Sequence, residues 1–156
     1  MVSFSTLQKI LEKLNVSHLM VLGFDFGLKR IGIAVGQTLT RSAHPNTILK
    51  SKNGIPWKQI NEIIKIWEID TLVVGIPYNM DGSEQFVTYA ARKFANTLRS
   101  KTDLPVYTVD ERLTTVEARK LYFNRKKNFK FPKQFDSYAA KIILEQWLQE
   151  NTDPPK

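Results

Sequence analysis

Met20-Val21-Leu22-Gly23-Phe24-Asp25-Phe26-Gly27-Leu28-Lys29-Arg30-Ile31-Gly32-Ile33-Ala34-Val35-Gly36 is the stretch that decides the fold. Residues 20–26 and 31–35 are apolar runs of strand length, and only the four residues Gly27-Leu28-Lys29-Arg30 join them. So short a link favours an antiparallel hairpin, because a parallel pair needs a long crossover. Asp25 interrupts the first run from within. An ionised group inside a buried strand is costly unless something pairs with it.

Downstream, the pattern changes to alternating strands and helices. A third strand is expected near residues 47–50, followed by the turn signal Asn53-Gly54. Pro56 fits the first turn of a helix reaching about Glu68, with Ile60, Ile63, Ile64 and Trp67 on its apolar face. Residues 71–76 form a continuous apolar run, as in a strand covered on both faces. After the loop 77–82, Ser83 is expected to cap a helix to about Leu98. Residues 105–109 read as the fifth strand, and Thr114-Thr115-Val116-Glu117 matches a capping box that opens a helix. Asp136 is expected to start the last helix, with Ala139, Ala140, Ile143, Leu144, Trp147 and Leu148 on its buried side. A hairpin followed by strand–helix alternation predicts an α/β fold, a mixed sheet with helices on its faces. Residues 4–14 read as an amphipathic helix within an N-terminal extension, 1–19; the domain proper is 20–150, and 151–156 is expected to fray.

The 156 residues suffice for one domain with a real core, and 42% are apolar, as in globular proteins. There is no cysteine, which excludes disulfides, thiolate zinc sites and a cysteine nucleophile and fits the cytoplasm. The N-terminal residues carry charges within their apolar pattern, unlike a signal peptide, and no run is long enough to span a bilayer. A net charge of +8 favours a polyanionic partner.

Three carboxylate positions then stand out. Asp25 lies in the first strand, Asp110 and Glu111 end the fifth, and Asp136 opens the last helix. Ligands of open α/β sheets bind outside the carboxyl ends of strands, where Asp110 and Glu111 fall. Neighbours on an extended chain point to opposite faces, so only one of the two is expected to meet Asp25; the other is left to pair with Arg112 or cap the turn at Thr114. Asp136 alone reads as an ordinary N-cap and joins the set only if the last helix packs beside the first strand. A hard oxygen donor set suits Mg2+ or Mn2+, and in a basic protein that points to phosphodiester chemistry on nucleic acid. Residues 119–135 interleave Arg119, Lys120, Arg125, Lys126, Lys127, Lys130 and Lys133 with Tyr122, Phe123, Phe129, Phe131 and Phe135, and hold no acid, a composition suited to phosphates and unpaired bases. Lys29 and Arg30 follow the first strand and are candidates to touch the nucleic-acid backbone. Asn79 and Asp81 suit either substrate contact or plain turn chemistry.

Four segments in register resemble the motifs of the YqgF family, also called RuvX. Phe24-Asp25-Phe26-Gly27-Leu28-Lys29-Arg30-Ile31-Gly32-Ile33-Ala34-Val35-Gly36 resembles its opening motif, and Val74-Gly75-Ile76-Pro77-Tyr78-Asn79-Met80-Asp81-Gly82-Ser83-Glu84-Gln85 its second. Val109-Asp110-Glu111-Arg112-Leu113-Thr114-Thr115-Val116-Glu117-Ala118 is similar to the third, and Asp136-Ser137 through Ile143-Leu144 to the fourth. The resemblance runs from about Met20 to Glu150 and implies a ribonuclease H-like fold with a five-stranded mixed sheet. It implies a cytoplasmic nuclease that matures the 5′ end of precursor 16S rRNA, with the ribosome as a possible further partner. Members have also been described as Holliday junction resolvases. Carried onto this chain, the catalytic and metal-binding acids are Asp25, Glu111 and Asp136, with Asp110 the alternate for the second place. Asp25 is expected to bridge one or two Mg2+ or Mn2+ ions and Arg112 to orient Glu111. Nucleic-acid contacts are expected from Lys29, Arg30, Asn79, Arg112, Arg125, Lys126, Lys127 and Lys130. Residues 1–19 fall outside the resemblance, and the loop 124–135 is more basic and less Gly-rich than the family pattern.

Three other readings compete. A phosphotransferase of the actin and sugar-kinase type needs two such domains around a cleft. A non-catalytic RNA-binding module leaves the acid in the first strand unexplained. A junction resolvase needs a symmetric dimer; a monomer or a weak homodimer is expected here.

Overall fold

A computed structural model of the protein describes residues 3–13, 18–79, 81–112 and 133–151. In chain order these form α1 (Phe4–Lys13), β1 (Met20–Phe26), β2 (Arg30–Gln37), β3 (Ser42–Lys50), α2 (Trp57–Ile66), β4 (Thr71–Ile76), α3 (Phe86–Thr102), β5 (Val106–Asp110) and α4 (Lys133–Asn151). The five strands make one sheet in the order β3-β2-β1-β4-β5. β1 pairs antiparallel with β2, as does β2 with β3, while β4 runs parallel to both β1 and β5. This is the five-stranded mixed sheet flanked by helices that the hairpin and the later alternation predict.

The pleat divides the core in two. Leu22, Phe24 and Phe26 of β1 face α2 and α3, where Phe94 lies 5.3 Å from the Phe24 ring and 5.0 Å from that of Phe26. On the other face, Val21, Val73 and Val109 pack against Ala140, Ile143, Leu144 and Leu148 of α4. All six residues of β4 are buried, as its uninterrupted apolar run requires. Gly23 lets α4 settle close on β1, since a Cβ there would lie 2.8 Å from Leu144 Cβ.

Some boundaries differ from the sequence reading. β3 begins five residues earlier, at Ser42, and includes Pro45. It is an edge strand with a register irregularity opposite Ile33 and Ala34, and an edge tolerates proline and polar residues that a central strand does not. α3 begins at Phe86 after Gln85 rather than at Ser83. The Ser83 hydroxyl is engaged elsewhere, donating to Asp81 Oδ1 at 2.6 Å and accepting from Asn79 Nδ2 at 2.9 Å. α4 begins at Lys133, so Asp136 sits inside its first turn instead of capping it. The helix expected from Thr114 lies outside the described residues, as does the tail 152–156. Among the described residues no helix is long and apolar enough to cross a membrane.

Candidate active site

The register of three strands builds the site. Asp25 of β1 lies beside Gly75 of β4, and Gly75 lies beside Val109 of β5. Two residues past Val109, Glu111 returns to the same face of the sheet, the face that α4 covers. Gly75 leaves the floor between the two acids open: a Cβ there would sit 2.5 Å from Glu111 Oε1 and 2.6 Å from Ile143 Cδ1. Glu111 is therefore laid across Gly75, and its carboxyl hydrogen-bonds Asp25. A glycine inside an otherwise unbroken apolar strand is the sequence signal for this floor.

The electrostatics follow from that position. Glu111 is 9% exposed, and burial pushes its carboxyl above the ordinary value; the hydrogen bond to Asp25 opposes the rise and the charge of Asp110 adds to it. Two carboxyl groups can share a hydrogen bond only if one carries a proton, so at neutral pH the pair calls for a proton or a cation.

Asp110 turns away from this pair. Its Oδ1 accepts the Arg112 backbone N–H at 2.9 Å, and its Oδ2 accepts from Arg112 Nη2 at 2.5 Å. The guanidinium holds the Asp110 carboxyl below the ordinary value. Arg112 thus serves Asp110, contrary to the expectation that it orients Glu111. Its guanidinium also lies 5.3 Å from the centroid of the Tyr78 ring. Asn79 is exposed, and its side chain donates to Ser83 within the loop, which favours the turn reading.

Position 136 is placed by the helix backbone. Leu148 touches Gly36, the partner of Val21, whereas Leu144 and Ala140 lie against Gly23 and Ile143 against Gly75, the partner of Asp25. α4 therefore runs antiparallel to β1. Asp136 is one turn before Ala140, about 6 Å along the axis, and Asp25 is two residues beyond Gly23, about 6.6 Å along the strand. The backbone at 136 thus comes level with Asp25. Lys29 and Arg30 are exposed at the β1–β2 turn, where Ser51 ties the hairpin by donating its backbone N–H to Lys29 O at 2.9 Å and its hydroxyl to Gly27 O at 2.8 Å. Arg125, Lys126, Lys127 and Lys130 lie outside the described residues.

The model of one protein family, RuvX: Holliday junction resolvase, matches residues 19–150. The chain belongs to the RuvX family. α1 lies outside the RuvX match. Among RuvX relatives, a Coxiella burnetii protein named "Putative pre-16S rRNA nuclease" is 58% identical over 134 residues, covering 85% of this chain and 94% of its own. Proteins of the same name from Haemophilus ducreyi and Legionella pneumophila are 51% and 50% identical over 84% and 83% of this chain and 96% and 95% of their own. Among solved structures, Thermus thermophilus RuvC in complex with a Holliday junction substrate superposes with a TM-score of 0.55 at 15% identity, over 88% of this chain and 100% of that one. The yeast mitochondrial Holliday junction resolvase Ydc2 gives 0.52 at 12% identity over 96% and 93%. These structures place the RuvX chain in the ribonuclease H-like resolvase fold.

Proposed function

We propose that this chain is a divalent-metal-dependent endonuclease that hydrolyses phosphodiester bonds in the cytoplasm, with precursor 16S rRNA as its substrate. The observation that carries the reading is the pairing of Asp25 with a buried Glu111 across Gly75. A fold does not bury Glu111 at the end of its sheet for stability, because burial disfavours its charged form. The donor set is all oxygen, which fits Mg2+ or Mn2+.

Asp25, Glu111 and Asp136 would hold the metal, and Asp110, occupied by Arg112, would not. When bound, such an ion lowers the pKa of a water and offsets charge on the leaving oxygen. The chain's own residues supply the rest. Gly75 and Ile143 fix the Glu111 carboxylate from below. The half-buried Asp25 faces the substrate side. Lys29 and Arg30, beyond the end of β1, neutralise phosphates of the incoming strand.

The test is cleavage of a 5′-extended 16S precursor RNA beside a four-way DNA junction, each with Mn2+, Mg2+ or EDTA. Asp25→Asn is expected to cut at least about 100-fold more slowly, beyond the loss typical for a metal's outer-shell partners, while its melting and RNA binding stay near wild type. Wild-type cutting by a pure Asp25→Asn preparation would overturn the assignment. Cutting of the junction alone would favour resolution, the second reading, which the family model's description supports.

A further inference from the structure

A second feature lies at the same end of the sheet, on the first two turns of α3. Phe86 is 74% exposed and Tyr89 58% exposed, the two most exposed aromatic rings among the described residues. They are three residues apart and so share one helix face. Lys93 continues that face four residues on; it is exposed and pairs with no acid among the described residues. Farther along the same face the exposed positions are Asn96 and Ser100, while the exposed Arg99 and Lys101 lie to either side of it. Lysine and serine are depleted in protein interfaces, so two rings followed by an ammonium and small polar groups are unlike a protein-docking face. They match the base-stacking faces and phosphate charge of an unpaired strand.

Contacts tie this face to the end of β4 and to Asp110, the neighbour of Glu111. The Thr88 hydroxyl accepts the Gln85 backbone N–H at 3.1 Å and donates to the Pro77 carbonyl, pinning the start of α3 to the end of β4. Glu84 hydrogen-bonds Tyr89 and pairs with Arg92 at 2.6 Å. Arg92 donates to the Tyr78 hydroxyl at 2.9 Å, and Arg112, which clamps Asp110 beside Glu111, lies over the same ring. Tyr78 is flanked by two guanidinium groups, 5.8 and 5.3 Å from its centroid. Of the rings on α3 and the loop before it, Phe86 and Tyr89 are the ones exposed to solvent.

We infer that Phe86 and Tyr89 form a stacking platform for two unpaired bases of the nucleic acid whose backbone reaches Asp25 and Glu111, with Lys93 taking a phosphate. The substrate class is therefore a single-stranded segment rather than a continuous duplex. This rests on the nuclease reading, yet its test does not require cleavage.

The experiment uses the full chain in EDTA with a short RNA carrying 2-aminopurine, as a single strand and as a duplex of equal length. Wild type is expected to quench the fluorophore in the single strand and to bind it more tightly than the duplex. Phe86→Ala and Tyr89→Ala should each weaken single-strand binding by about 5- to 100-fold and lose quenching, with duplex binding and melting temperature unchanged. Phe86→Leu should behave like the alanine variant and Phe86→Trp like wild type, because stacking needs a ring and not merely bulk. Equal affinity and quenching across wild type, Phe86→Ala and Tyr89→Ala would overturn the platform, even if the protein cleaves RNA. Loss of self-association in these variants without loss of RNA binding would also overturn it and assign the face to a second copy. A platform that quenches in a protein that cuts no substrate would leave the inference standing and the nuclease reading fallen.

Discussion

Glu111 carries a cost that its neighbours explain. Its folded pKa is raised by burial, so the folded chain holds that proton more tightly than the unfolded chain does. In metal-free protein the penalty is absent below the unfolded value, about 4.3, and stability declines as pH rises from there through the folded pKa. Asp110 has the opposite sign: its stabilisation is present above the unfolded value and disappears as pH falls through a folded pKa lowered by Arg112. Glu111→Gln removes the first effect alone. The variant is expected to melt about 2–4 °C higher than wild type at pH 7 without metal, roughly 1 kcal/mol in a chain of this size. That gap should close as pH falls toward the unfolded value, and Mn2+ should stabilise wild type but not the variant. A variant that melts lower than wild type at pH 7 in EDTA would show that Glu111 is a structural anchor.

At the level of elements, strand β4 and helix α4 meet at Gly75, where the space belongs to Glu111 Oε1 and Ile143 Cδ1. Gly75→Ala is expected to cost about 1–3 kcal/mol through overpacking and to suppress cleavage by lifting Glu111 off Asp25. Thermal melting together with the precursor assay checks both; unchanged melting and unchanged cutting would show that the floor yields freely. The elements themselves are largely legible in the sequence. β1, β2 and β4 announce themselves as apolar runs, and burial then enforces what the pattern predicts. β3 is harder to read, because an edge strand carrying Pro45 needs no alternation. Ser83 looks like a cap because its type is right, and only the loop's own hydrogen bonds show its hydroxyl to be committed to Asp81 and Asn79. The same limit applies to the site. That one acid of Asp110 and Glu111 would meet Asp25 follows from alternation along the chain, but which one depends on Arg112, and a side chain's choice of partner is not written in spacing. The face of α3 bearing Phe86 and Tyr89 escapes a reading of the sequence because apolar residues on a helix are first taken for core.

Over the whole molecule, charge is unevenly spread. Of the 23 lysines and arginines, six fall within residues 113–132, a stretch with Glu117 as its single acid. Binding to nucleic acid should therefore be strongly salt-dependent. On a single strand, log affinity falls by about 0.7 per tenfold rise in salt for every phosphate that the protein neutralises. Replacing Arg125, Lys126, Lys127 and Lys130 with glutamine is expected to flatten the salt slope by up to about 3 and to weaken all sequences alike. Titrations at several salt concentrations measure this, and an unchanged slope would move the phosphate-binding groups to the β1–β2 turn.

The antiparallel seating of α4 has a consequence for how the molecule comes into being. This last helix packs on one face of the sheet, and the proposed site draws its acids from three separate parts of the chain. During synthesis Asp25 emerges first, Glu111 follows, and residue 136 comes later still. Until then the sheet lacks both α4 and the last of the proposed ligand positions. On the proposed reading, the site therefore assembles only after α4 has been made and has docked on the sheet.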